Sequence, residues 1–190
     1  MNSQKGIGLV EVLVALLLLA IAVLGFSAMQ MTAIKATSES MMRNRAMDVI
    51  KTLSESMRSM PNSNTVFKTT LNNKFTAVTI ADTDNPTNKF CESVVQDENL
   101  QECLNASTSK KCTQDQTVAF TVNNMVKASC AKDISLNMIT CPNTTGVNER
   151  QCIIAAWGDT KAQIGSNIRD CADDSGIYKS GASCLIMETY

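Results

Sequence analysis

The chain has 190 residues, with 17 Lys and Arg against 18 Asp and Glu for a formal net charge of -1, and it contains no histidine. A charge so near balance lacks the basic excess by which dedicated nucleic-acid binders hold phosphate. The missing imidazole removes the commonest general base and a principal zinc ligand.

Lys5 precedes Gly6 and Ile7, and residues 12–26 carry no polar side chain, so Glu11 is the one charge in an otherwise apolar stretch. A carboxylate at the centre of a bilayer costs about 2.5–3.5 kcal/mol on insertion scales, so it signals a function and needs a partner. Lys5 lies on the wrong side of Gly6 to serve. If the chain is cut between Gly6 and Ile7, however, the new α-amino group of Ile7 stands one helical turn from Glu11. As a helix, residues 7–26 span about 30 Å, one hydrocarbon core, and Lys5 on the leader side fits a cytoplasmic N-terminus with an exported remainder.

Past the apolar run, Ile34, Met41, Met42, Val49, Ile50, Leu53, Met57 and Met60 recur at intervals of one, three, four or seven, the stripe of an amphipathic helix. Lys35, Glu39, Arg43, Arg45, Asp48, Lys51, Glu55 and Arg58 fill the other faces. Pro61 disfavours helical backbone at Met60 and predicts the end of the helix there. The methionines read as packing residues that fill irregular gaps rather than as metal ligands. Gly25 is a weak point in the helix interior, and no Pro occurs before Pro61.

The short basic leader, Gly6 at its end, apolar Ile7, Glu11 at the fifth position after the cut and the unbroken apolar run together resemble the class III signal of type IV pilins and type II secretion pseudopilins. Residues 6–20 are especially similar to minor pilins of the PilV kind, and the likeness covers roughly the first third of the chain. It implies that a prepilin peptidase cleaves after Gly6 and N-methylates Ile7, and that Glu11 neutralises the N-terminal amine of an adjacent subunit. It further implies an α+β type IV pilin fold, in which a long N-terminal helix, transmembrane then amphipathic, packs on a small antiparallel head stapled by disulfides. The corresponding divisions are a leader (1–6), a membrane and filament-core helix (7–30), an amphipathic helix (31–60) and a periplasmic head (61–190).

Implied partners are other major and minor pilins, the prepilin peptidase, the membrane and the inner-membrane pilus assembly machinery, with direct nucleic-acid contact not expected. The implied role is a minor structural subunit supporting pilus assembly, twitching motility and surface attachment, held in the inner membrane before assembly and on the cell surface after it. A minor pseudopilin of type II secretion and a pilus-tip adhesin or DNA-uptake subunit are the alternatives. The competing reading of the N-terminus is an ordinary secretory signal peptide cleaved after Ala22. Glu11 inside the apolar core, and continued hydrophobicity at Val23, Leu24 and Phe26, weigh against it.

The head is rich in Asn, Thr, Ser and Asp, and holds all eight cysteines: Cys91, Cys103, Cys112, Cys130, Cys141, Cys152, Cys171 and Cys184. An even number on the exported side of a membrane segment reads as a disulfide set formed in an oxidising compartment, and the sequence does not select the pairing. The pilin resemblance suggests Cys171 with Cys184, closing a terminal loop. No C-x-x-C pair and no His accompany the cysteines, so neither a metal site nor a redox motif is expected. Alternation predicts half-buried strands at 75–80 and 117–122. An apolar run at 152–157 before Gly158-Asp159, and residues 184–187 as an edge strand, complete the expected sheet, while 134–140 is ambiguous between strand and helix. Residues 83–89 and 105–111 read as exposed loops, and Asp173-Asp174 as a solvated turn. No nucleophile elbow, phosphate-cradling loop or grouped acids at motif spacing is present, so no catalytic residue and no cofactor are expected.

Overall fold

No proline interrupts the chain before position 61, and Leu9–Ser59 form one helix, α1, in the computed structural model, which describes residues 8–79, 91, 112–144, 146 and 149–189. Two compact units divide the chain, Met1–Met41 and Met42–Tyr190. In the first, the described residues are Gly8 and helical residues of α1, all of whose large apolar side chains are exposed. In the second, Ala46, Val49, Ile50, Leu53 and Met57 are buried at helical spacing, whereas Ile34 and Met41 of the expected stripe remain exposed.

Met60 leaves helical geometry at φ -134° and ψ 64°, as a residue before proline is pushed to do, and Pro61 opens a short 3-10 turn (Pro61–Ser63). The chain does not leave the helical regime there. Asn64–Thr79 form α2, with Phe67 and Leu71, four apart, fully inside the core. The strand expected at 75–80 is therefore corrected: residues 75–79 end this helix, and Ile80 lies outside the described residues. The loops read at 83–89 and 105–111 also lie outside them.

The strand expected at 117–122 is likewise helical, lying within α3 (Gln114–Cys130). Thr113 caps it: the Gln116 amide donates to Thr113 Oγ1 at 3.3 Å, and the Thr113 amide donates to Gln116 Oε1 at 2.9 Å. This reciprocal box satisfies two donors, and Asp115 in the first turn and Lys127 in the last complement the helix dipole. Val118, Val122 and Val126 form its buried edge.

The ambiguous segment 134–140 resolves as β1 (Ser135–Thr140), which pairs antiparallel with β2 (Gln151–Ala156). Gly158, at φ 62°, turns the chain after β2, and β3 (Lys161–Ile164) and β4 (Asp170–Ala172) follow as a short parallel ribbon of irregular register. Strand β5 (Cys184–Thr189) returns to β2 on the side away from β1, giving the order β1-β2-β5. The expected runs at 152–157 and 184–187 are thus β2 and the edge strand β5. Five consecutive buried positions in β2 mean that both faces of the central strand are covered. Helices α2 and α3 lie against β1, and β3 lies against β1 and β2. The architecture is α+β, with a long apolar N-terminal helix, a small antiparallel sheet and disulfides in the head.

Candidate functional site

Glu11 sits in the first turn of α1, where its amide donates to the Gly8 carbonyl at 2.9 Å and the Val12 amide reaches the same oxygen at 3.4 Å. Gly6 and Ile7, the expected cleavage and methylation positions, lie outside the described residues. Around Glu11 the surface is hydrocarbon, with Leu9, Val10, Val12, Leu13 and Val14 all exposed, and the exposed apolar surface continues along the helix to Phe26. By length and composition this helix is able to cross a membrane.

Magnitudes decide how Glu11 is accommodated. The positive end of the helix dipole favours a carboxylate in the first turn by about 0.3–1 kcal/mol, well short of the roughly 2.5–3.5 kcal/mol that a charge costs in lipid. The next basic side chain along the sequence after Glu11 is Lys35. At 1.5 Å per residue it is about 36 Å further along the helix, beyond any direct pairing. Neither the helix dipole nor Lys35 would offset the cost of Glu11 at the centre of a bilayer.

Three hydroxyls along the same helix are handled differently. Ser27 Oγ, Thr32 Oγ1 and Thr37 Oγ1 donate to the carbonyls of Val23, Ala28 and Ala33, four residues back, at 2.9, 3.2 and 2.9 Å. Each hydroxyl spends its proton on its own helix and needs no partner in an apolar medium. A Cβ added at Gly25 would meet nothing within 4 Å, so packing inside the chain does not demand glycine there.

In the head, three disulfides join described residues: Cys91–Cys130 at the end of α3, Cys141–Cys152 at the end of the β1–β2 pair where the chain passes from one strand to the other, and Cys171–Cys184 between β4 and β5. Cys112 is also disulfide-bonded, and Cys103 lies outside the described residues. The turn at Asp173-Asp174 is built by the Asp173 carboxylate, which accepts the amides of Ser175 and Ile177, both at 2.9 Å. Among the described residues no group of three or more His, Cys, Asp or Glu is placed to hold a metal.

One polar chain in the head has no counterpart in the sequence reading. Lys68 Nζ donates to Thr140 Oγ1 at 2.9 Å, and that hydroxyl donates to Glu149 Oε1 at 2.8 Å, fastening α2 to the β1–β2 pair. The Thr140 hydroxyl, then the Gln151 amide at 3.1 Å, hold the Glu149 carboxyl below its usual range; the Lys68 charge adds to this, and partial desolvation opposes it. Burial, reinforced by the charge of Lys127, pushes the Lys74 ammonium down from 10.5. Lys68 and Thr140 are 72 residues apart, so no local sequence signal announces their contact. The arrangement ties structural elements together.

Comparison with known families gives two matches. A family model described as type IV pilin Tt1218 covers residues 28–123, and a model of the prokaryotic N-terminal methylation motif covers residues 1–27. No curated protein and no solved structure matches the chain.

Proposed function

Since the chain belongs to the Tt1218-like family of type IV pilins and carries the N-terminal methylation motif, we propose that it is a minor subunit, of the PilV kind, that enters a type IV pilus through α1 and supports pilus assembly, twitching and surface attachment. The prepilin signal implies processing by a peptidase and assembly with other pilins. In this reading residues 1–6 are removed after Gly6 and Ile7 is methylated. Residues 7–30 lie in the membrane and later in the filament core. The head faces the periplasm and later the cell surface.

The observation that carries the proposal is Glu11, a lone carboxylate in the first turn of an exposed apolar helix. Opposite charges about 4 Å apart attract by roughly 4 kcal/mol at an effective dielectric near 20, comparable to the cost of placing a carboxylate in lipid. The amine of Ile7 on a neighbouring subunit supplies such a charge only when the two helices are in the right register, so insertion is coupled to ordered assembly.

Mass spectrometry of the mature N-terminus is expected to find methylated Ile7; a start at Val23 would instead establish an ordinary signal peptide. Glu11→Gln should remain membrane-inserted yet be depleted from sheared filaments, and its normal recovery there would overturn the pairing. Deletion should remove surface filaments or twitching. Loss of exoprotein secretion with filaments intact would replace this reading by the pseudopilin one.

A further inference from the structure

Strand β5 has β2 on one side and, among the described residues, no strand on the other. The Trp157 amide donates to the Ser183 carbonyl at 3.0 Å, and the antiparallel register continues through Leu185 with Ala155 and Met187 with Ile153. In such a ladder alternate residues bond to the partner, so the amides of Cys184, Ile186 and Glu188 point away from β2. An outward row of donors and acceptors is a template for another strand. The segment Leu185-Ile186-Met187, with no proline and Glu188 as its nearest charge, has the composition that makes an open edge hazardous.

The central donor of that row is occupied. The Ile186 amide donates to the Tyr178 phenol oxygen at 2.9 Å. Tyr178 is delivered there by the loop between β4 and β5, whose ends Cys171 and Cys184 are joined. A bridge between Tyr178 and Ala172, the Lys179 amide on the Cys171 carbonyl at 3.1 Å, and Lys179 Nζ on the Asn167 carbonyl at 2.6 Å hold the loop in place. Tyr178 as a residue remains about half exposed, so burial of the ring alone does not account for its position.

We propose that Tyr178 is an edge guard: its hydroxyl, positioned by the disulfide-closed loop, closes β5 and prevents the β5 of a second copy from adding antiparallel to it. The symmetric pairing so prevented sets Ile186 opposite its own copy and Cys184 opposite Glu188. The device belongs to the head and does not depend on the role assigned to Glu11.

The test uses the full chain in detergent, comparing wild type with Tyr178→Phe. Exchange at the Ile186 amide, followed by NMR, is expected to quicken roughly two- to tenfold, the range for loss of one ordinary hydrogen bond. Detergent-corrected light scattering is expected to show more dimer than wild type at equal concentration. Adding Ile186→Pro, which removes the outward donor from an edge strand, is expected to return the wild-type level of association. Unchanged exchange at Ile186, equal association of Tyr178→Phe and wild type, or dimer persisting in the double variant would each overturn the proposal.

Discussion

Lys132 Nζ lies 2.9 Å from Asp48 Oδ2, so the turn that follows α3 is tied to the helix α1, 84 residues earlier in the chain. Both side chains are open to water, at 36% and 69% exposure, which limits what the contact is worth. Exposed ion pairs contribute about 0.2–1 kcal/mol and are screened by salt. A double-mutant cycle of Asp48→Ala and Lys132→Ala, read by denaturant unfolding of the full chain in detergent, should give a coupling in that range that shrinks as salt is added. A coupling insensitive to salt would contradict the assignment.

The core of the second unit should dominate its stability by a wide margin. Leu53 of α1 and Phe67 of α2 are almost wholly buried in one apolar cluster. Truncation there combines lost transfer energy with a residual cavity, about 2–5 kcal/mol for Leu→Ala and about 3–5 for Phe→Ala. Leu53→Ala and Phe67→Ala are therefore expected to lower the denaturation midpoint of the head substantially. Leu17→Ala, at a position exposed within the chain, should leave that midpoint unmoved.

Helix α3 depends on its first turn. Thr113→Ala removes the Oγ1 acceptor from the Gln116 amide while leaving the Gln116 side chain on the Thr113 amide. The expected loss is about 1 kcal/mol. Thr113→Ser, which retains the acceptor, should recover most of it; equal destabilisation by both substitutions would mean that the methyl group, not the cap, matters.

Those same two residues show why part of the head was illegible. Val118 and Val122 are four apart, a spacing that satisfies the alternation of a strand as well as the turn of a helix, so alternation alone points to a strand at 117–122 where the chain is helical. Thr113-x-x-Gln116 was the local signal that separates the two. Pro61 correctly marks the end of α1, but proline is also favoured at the first position of a helix, and here it opens the turn that leads into α2, which the sequence reading does not anticipate. By contrast, the apolar run with Glu11 and the runs of β2 and β5 are properties of contiguous residues and could be read directly. The β3–β4 ribbon is too short and irregular to show a period, and contacts such as Tyr178 with Ile186 depend on a loop returning from elsewhere.

Two shifted groups give stability a definite dependence on pH. For Glu149 the folded carboxyl titrates below 4.5, chiefly because the Thr140 hydroxyl and then the Gln151 amide donate to its charged form. The unfolded chain therefore binds the proton first as pH falls, so the contribution of Glu149 is fully present above 4.5 and disappears as pH drops through the lower folded value. Lys74 is also lowered, from 10.5, but by burial first and the Lys127 charge second, and the consequence differs in kind. Below its folded value both states carry the proton and the cost of holding a desolvated cation is present in full; as pH rises through that value toward 10.5 the folded state sheds its proton first, and the cost is relieved. Stability should thus rise with pH in both windows. Thr140→Val is expected to move the Glu149 carboxyl, followed by carbon NMR, upward toward 4.5. Lys127→Gln should raise the Lys74 value only part of the way back, because burial, the larger cause, remains; a full return to 10.5 would show that the neighbouring charge had been the main cause.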